Sequence, residues 1–258
     1  MSDAEPMPSS MPVRPVPPAP LEGGRVARNR WRRSQAFLSA GLRIVTEEGI
    51  EALTMARLAA ELDTAVGAVY RYYASKDELV AAIEANAIDQ LHRSHDRSID
   101  PVVAEVMEQV SEAAALVRLV VLGRWFCAAA ERFPEEVRLL QLVSARRSSS
   151  LTPAAAAGLL PSTMSFVSSI AATIDGAAEA GVVRTGSGLA RAILWLTAFG
   201  GVFVADDLER YVPEVLGGGR LVRQLNLDLL AGWGASVEAV ARIESAVDAV
   251  AGSLALVQ

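Results

Sequence analysis

The 258-residue chain reads as an all-α protein: a small N-terminal three-helix unit, then a larger helical domain, about ten helices in total. Three observations predict this. Apolar residues make up 52% of the chain but aromatics only 5%, and few stretches show the period-2 alternation of a half-buried strand. Apolar positions recur instead at helical spacing, as in Leu79, Ile83, Ala87 and Leu91. Between residues 54 and 79 the spacing shortens to two brief helices and a tight turn, followed by a capped third helix.

The elements follow in order. Residues 1–24 hold seven of the twelve prolines and no apolar run, so a disordered, polyproline-prone tail is expected. That stretch lacks the charged-then-apolar layout of a signal peptide. Arg25, Arg28, Arg30, Arg32 and Arg33 surround Trp31 and read as a basic arm that can reach phosphates or a minor groove. Helix 1 is expected over residues 29–48, with Phe37, Leu38, Gly41, Leu42, Ile44 and Val45 inward and Gly49 as its stop.

Thr54 is placed to cap a second helix, in which Leu58, Ala59 and Leu62 share one face. Asp63-Thr64 interrupts that pattern, and Asp tolerates the left-handed backbone that such a turn needs. A third short helix is expected over 65–72, anchored by Val69 and Tyr73, with Ser75-Lys76-Asp77-Glu78 as a capping box for the next. Two helices joined in this way form a helix-turn-helix, whose second helix can enter the major groove of DNA. Domain boundaries follow: residues 1–24 as tail, 25–74 as the helix-turn-helix domain, and 75–258 as the larger helical domain, connected through a helix over about 75–98.

Here a resemblance becomes specific. Phe37, Ala40, Leu42, Gly49, Thr54, Leu58-Ala59, Gly67, Val69-Tyr70, Tyr73, Ser75-Lys76 and Leu79 stand in the order and spacing of the TetR (tetracycline-repressor-like) family's DNA-binding domain. The match covers about fifty residues and departs at Asp63-Thr64-Ala65, where the family usually has Gly-Val-Ser. That departure leaves the start of the third helix open, with its cap at Asp63 or Thr64. The resemblance implies a regulator, usually a repressor, acting as a homodimer on a palindromic double-stranded operator and released by a small molecule in the larger domain. It also implies that two late helices of each chain form a four-helix bundle. Residues 189–205 and 221–251 are the most apolar candidates for them.

The DNA-contacting set expected on this basis is Arg28, Arg32, Thr54, Arg57, Ala65, Val66, Gly67, Ala68, Tyr70, Arg71, Tyr72 and Lys76. Residues 65–68 carry no bidentate base-reading group. They permit close approach and contact with thymine methyls, leaving Arg71 as the one strong hydrogen-bonding side chain on the helix. Thr54, Arg57, Tyr70, Tyr72 and Lys76 are phosphate candidates. The competing reading is an architectural DNA-binding protein with little sequence preference and no effector.

Beyond the helix-turn-helix, Asp100-Pro101 reads as a fresh helix start, running to about residue 133 with a break near Gly123. Pro134-Glu135-Glu136 opens a short helix, 146–153 is a loop, and 161–180 is a helix stopped by Gly181. Residues 185–188 and 217–219 read as linkers. Residues 189–205 are strongly apolar, yet too short for a membrane span and interrupted by Arg191. A largely apolar effector pocket is expected among Met107, Leu122, Trp125, Phe126, Met164, Phe166 and Trp195, all of which serve equally as ordinary core.

Charge distribution agrees with DNA contact at one end. Net charge is −6, but residues 25–46 carry six Arg and no acid, whereas residues 94–258 carry 13 Arg against 18 Asp and Glu. Cys127 is the lone cysteine, so no intrachain disulfide is available, as suits a reducing cytoplasm. His92 and His95, near Asp89 and Asp96, are spaced to share a metal on one helix face, but exposed polar residues near a helix end explain the same spacing, and no metal is assigned. No phosphate loop, nucleophile elbow or catalytic set is present, so neither an enzyme nor a cofactor is expected.

Overall fold

The computed structural model describes residues 24–145, 152–204 and 220–251. The described residues form ten helices and no strand: α1 (Arg25–Glu48), α2 (Met55–Glu61), α3 (Val66–Tyr70), α4 (Lys76–Met107), α5 (Ala114–Arg132), α6 (Pro134–Ala145), α7 (Pro153–Glu179), α8 (Gly188–Val204), α9 (Arg220–Gly232) and α10 (Val237–Ala251). The tail over 1–23, most of the 146–153 loop and the 217–219 linker lie outside the described residues. The chain divides into two compact units. The first holds residues up to Asn86 with the start of α7, and the second holds the rest.

In the first unit, Phe37, Leu38, Ile44, Val45, Leu53, Leu58, Val69, Tyr73, Leu79 and Ile83 form the core. Gly49 ends α1 at φ 89°, its N–H donating to Val45 O at 3.0 Å; a side chain would strain that backbone. Thr54 caps α2 as predicted, accepting the Arg57 N–H at 3.0 Å. Asp63 adopts φ 45°, the left-handed turn expected of it. Ser75 accepts the Glu78 N–H at 3.2 Å, while the Glu78 carboxylate reaches back to the Ala74 N–H at 3.1 Å, one residue before its usual partner.

Two expectations here are corrected. The basic stretch is not an arm, because α1 begins at Arg25 and carries all five arginines on its first turns. The cap of α3 is neither Asp63 nor Thr64. Ala65 takes the extended cap conformation without a side-chain bond, because the Thr64 hydroxyl accepts instead from Arg33 at 2.7 Å.

In the second unit α5 is the centre, with α6, α9 and α10 packed on it and α8 packed on α6 and α9. The predicted break at Asp100-Pro101 does not occur. A helical proline forfeits one backbone hydrogen bond, but Ile99, Val102, Val103 and Val106 are all buried at helical spacing and hold α4 continuous. Asp100 is engaged by Arg118 at 2.6 Å instead of capping. The break falls at residues 108–113, and Gly123 sits inside α5. Pro161 likewise lies within α7, which starts at Pro153 rather than at 161. As a result α7, not α8, is the one helix among the described residues that is long and apolar enough by composition to cross a membrane. A third of its apolar window is buried, and Phe166, Val167, Ile170 and Ile174 on this helix are core residues. The segment before α8 is pinned to the end of α9: the Arg184 N–H donates to Trp233 O at 2.7 Å, and Arg191 donates to Arg184 O at 2.7 Å while lying over the Trp233 ring.

Candidate nucleic-acid interface

α3 is only five residues long, and its two faces differ sharply. Ala68 and Val69 point into the core, Ala68 at 4% exposure, so Ala68 supports α3 from inside and does not belong to the outward set. Ala65, Val66, Gly67, Tyr70 and Arg71 face out, with Val66 at 39% and Tyr70 at 54% exposure. A Cβ built on Gly67 meets no atom within 4 Å, so nothing inside the fold requires glycine there. The outward face is small, uncharged except for Arg71, and suited to close approach.

Around it the predicted residues divide. Arg28 and Arg32 are exposed on the first turns of α1. The Thr54 hydroxyl, which accepts from Arg57, keeps its own proton to donate. Tyr72 is half-buried, edge-on to Phe37 at 5.2 Å with Arg30 over its ring at 5.8 Å, so much of its surface serves the fold. Arg57 is committed to Glu48 and Glu61, at 2.6 Å each, and Arg43 also binds Glu61. The hydrogen bond that Arg57 donates to Glu48 is the main cause raising the Arg57 pKa, and Arg57 is in turn the main cause holding the Glu61 carboxyl below its usual range. A phosphate would compete with those carboxylates for Arg57. Lys76 lies 3.5 Å from Glu51.

Arg33, absent from the expected set, fixes the turn before α3 through Thr64. No local signal marks it, because its partner lies 31 residues away.

Tyr73 anchors α3 from below, sharing a hydrogen bond with Ser34 at 3.2 Å. Burial pushes its phenol up to about 12, from 10.0. The ionised unfolded form is therefore favoured as pH rises from 10 to 12, and stability is lost in that window. The loss is expected to be on the order of 2–3 kcal/mol. Alkaline denaturation of the wild type against Tyr73→Phe reads it; parallel curves from pH 9 to 12 would refute it.

In the second unit Leu122, Trp125, Phe126, Phe166 and Trp195 are all buried, and the rings are contiguous: Trp125–Phe166 at 6.0 Å, Trp125–Phe126 at 5.1 Å and Phe126–Trp195 at 6.0 Å. Met164 is exposed on α7 and Met107 is half-buried at the end of α4, so neither is placed in this cluster. Phe199, Trp233, His92 and His95 join it instead. His95 is not the exposed polar residue expected near a helix end, because α4 continues past it and buries it. Among the described residues no group of three or more His, Cys, Asp and Glu side chains is placed to hold a metal ion. Cys127 lies on α5, its thiol pushed up to about 11 by burial.

The family profile of the bacterial regulatory proteins of the tetR family matches residues 37–83, which include α2, α3 and the turn between them. Over that stretch the chain carries the helix-turn-helix module of the tetR-family regulators. The chain is similar over 68 residues to the nicotine-responsive transcriptional repressor HdnoR of Paenarthrobacter nicotinovorans, 32% identical. That match covers 26% of this chain and 35% of HdnoR, so the chain spans about a third of this relative's length. In fold the chain resembles a tetR-family regulatory protein from Rhodococcus RHA1 (TM-score 0.56, 20% identity, 79% of this chain and 97% of that one). It also resembles FadR of Bacillus subtilis in complex with stearoyl-CoA (TM-score 0.56, 12% identity, 77% and 98%). A third likeness is to a candidate transcriptional regulator of Saccharomonospora viridis in complex with choline (TM-score 0.53, 18% identity, 78% and 96%). The last two hold chemically unlike ligands on one TetR-type fold, so the fold alone selects no ligand.

Proposed function

We propose that this chain is a sequence-specific DNA-binding transcriptional regulator of the cytoplasm, a repressor that holds its operator as a homodimer and releases it on binding a small effector in the second unit. The observation that carries the DNA part is the outward face of α3. Val66, Gly67, Tyr70 and Arg71 are left unused by the core and stand in the unit that also carries the arginines of α1. Methyl contacts, shape and Arg71 supply the reading, and Arg28, Arg32, Thr54, Tyr70 and Lys76 supply backbone contacts.

The test is fluorescence anisotropy on the DNA upstream of its own gene against a scrambled duplex at two salt concentrations. Preference that persists at the higher salt supports the proposal. Equal binding that collapses with salt would favour the architectural reading, which the shortage of base-reading side chains on α3 makes the natural rival.

Gly67→Ala separates folding from binding. Glycine in a helix costs roughly 0.5–1 kcal/mol relative to alanine, and the new methyl meets nothing inside the protein, so the denaturation midpoint is expected to rise. Operator affinity is expected to fall by about tenfold, because the same methyl stands where the DNA must approach. Unchanged affinity would remove α3 from the interface.

For self-association we place the twofold face on α8 with the second-unit part of α7. Ala190, Ile193, Leu194, Thr197 and Gly201 form one exposed stripe on α8, with Leu194 at 62% exposure, and Ser168, Ala172 and Gly176 form another on α7. Neither stripe contains a charge, whereas exposed positions of α9 and α10 carry Asp228, Glu238, Arg242 and Asp248. The 221–251 segment is therefore the less suitable partner for α8. Leu194→Glu is expected to halve the mass seen by light scattering. A mass equal to that of the wild type would place the interface elsewhere.

A further inference from the structure

The effector-binding reading leaves open what the ligand must carry, and one buried side chain narrows it. His95 is 7% exposed, and its Nδ1 lies 3.0 Å from Asp96 Oδ1. A carboxylate accepts, so Nδ1 carries the ring's proton and Nε2 presents a bare lone pair. That Nε2 is buried and has no hydrogen-bond partner in the protein. The surrounding groups do not supply one. Trp125, perpendicular to the imidazole at 5.5 Å, already donates its indole N–H to Ser94 Oγ at 3.3 Å. Phe166, at 6.0 Å, has nothing to donate. His92 turns its Nε2 toward the same Asp96 oxygen, at 3.5 Å, and Arg118 is held by Asp100. Burial favours the neutral ring, which keeps Nε2 an acceptor near neutral pH.

A buried acceptor without a donor is costly, and the protein keeps this one among aromatic rings on three different helices. We propose that the effector is amphipathic rather than wholly apolar: a compound that donates an O–H or N–H to His95 Nε2 while its flat apolar body lies against Trp125 and Phe166. This rests on the effector-released repressor reading and specifies its ligand. Asp96 is then a positioning residue that fixes the tautomer of His95 and makes Nε2 a stronger acceptor, as a carboxylate does for a ligating histidine.

Indole and 1-methylindole are suitable probes, because they share one shape and only indole can donate. The chain has two histidines, so nitrogen-15 spectra of the histidine-labelled full-length protein contain two imidazoles. Indole is expected to shift the His95 Nε2 resonance saturably and to bind about tenfold tighter than 1-methylindole, the order of one hydrogen bond. His95→Phe keeps a ring in the cluster and is expected to erase that preference while 1-methylindole still binds. Equal affinity for the two probes, a preference that survives His95→Phe, or an Nε2 resonance that neither probe moves would each overturn the proposal. Operator release, read in the same titrations, keeps the two readings apart. Release by indole with the His95 signal unmoved would sink this site and leave the repressor standing. A shifted His95 signal without release would support the site and sink the effector mechanism.

Discussion

Phe37→Ala is expected to cost about 3–5 kcal/mol of stability and to abolish operator binding. Phe37 is fully buried in α1 and meets Tyr72 and Tyr73 edge-to-face, at 5.2 and 6.5 Å. Those two tyrosines follow α3 directly, so one ring fixes the height and tilt of the outward face. Removing it leaves a cavity under a five-residue helix, which at that length cannot hold its shape without tertiary packing. The loss should appear in urea denaturation followed by circular dichroism, and in operator anisotropy at a temperature where the variant stays folded. A folded variant with wild-type affinity would show that α3 is positioned by its own turn and cap.

Gly123→Ala is the second large effect, expected to cost about 1–3 kcal/mol. Gly123 lies on the buried face of α5, and a Cβ there would overlap the side-chain amide of Asn226 on α9. Asn226 is 1% exposed, so the close packing around its amide leaves it little room to yield. The close crossing of α5 and α9 thus depends on the missing methyl. Asn226→Ala is expected to restore Gly123→Ala, with a coupling of about 1 kcal/mol or more in a double-mutant cycle of thermal denaturation. Strict additivity would mean that the methyl is resisted by the α5 backbone and not by Asn226.

What could be read along the chain was local. The Thr54 cap, the Gly49 stop, the left-handed Asp63 and the Ser75–Glu78 cap involve residues within about four positions of one another. Their chemistry is fixed by side-chain type and spacing, so the helix-turn-helix and its resemblance to the TetR family's DNA-binding domain were legible in the sequence alone. Outward positions on α3 followed from the same periodicity, except Ala68, whose small side chain signals neither face.

Tertiary structure decided the rest, and always where a local preference met a larger opposing term. Pro101 and Pro161 each signal a helix end, but burial of Ile99, Val102, Val103 and Val106 around one, and of Leu159 and Phe166 around the other, outweighs a single lost hydrogen bond. Thr64 would serve as a cap on its own; Arg33 takes its hydroxyl from another helix. His95 looked like a polar residue near the end of a helix, and became a buried acceptor only once α5 and α7 brought Trp125 and Phe166 against it. A sequence determines what each residue can offer within a turn or two of chain. Which offers are taken up depends on partners that only the folded packing brings within reach.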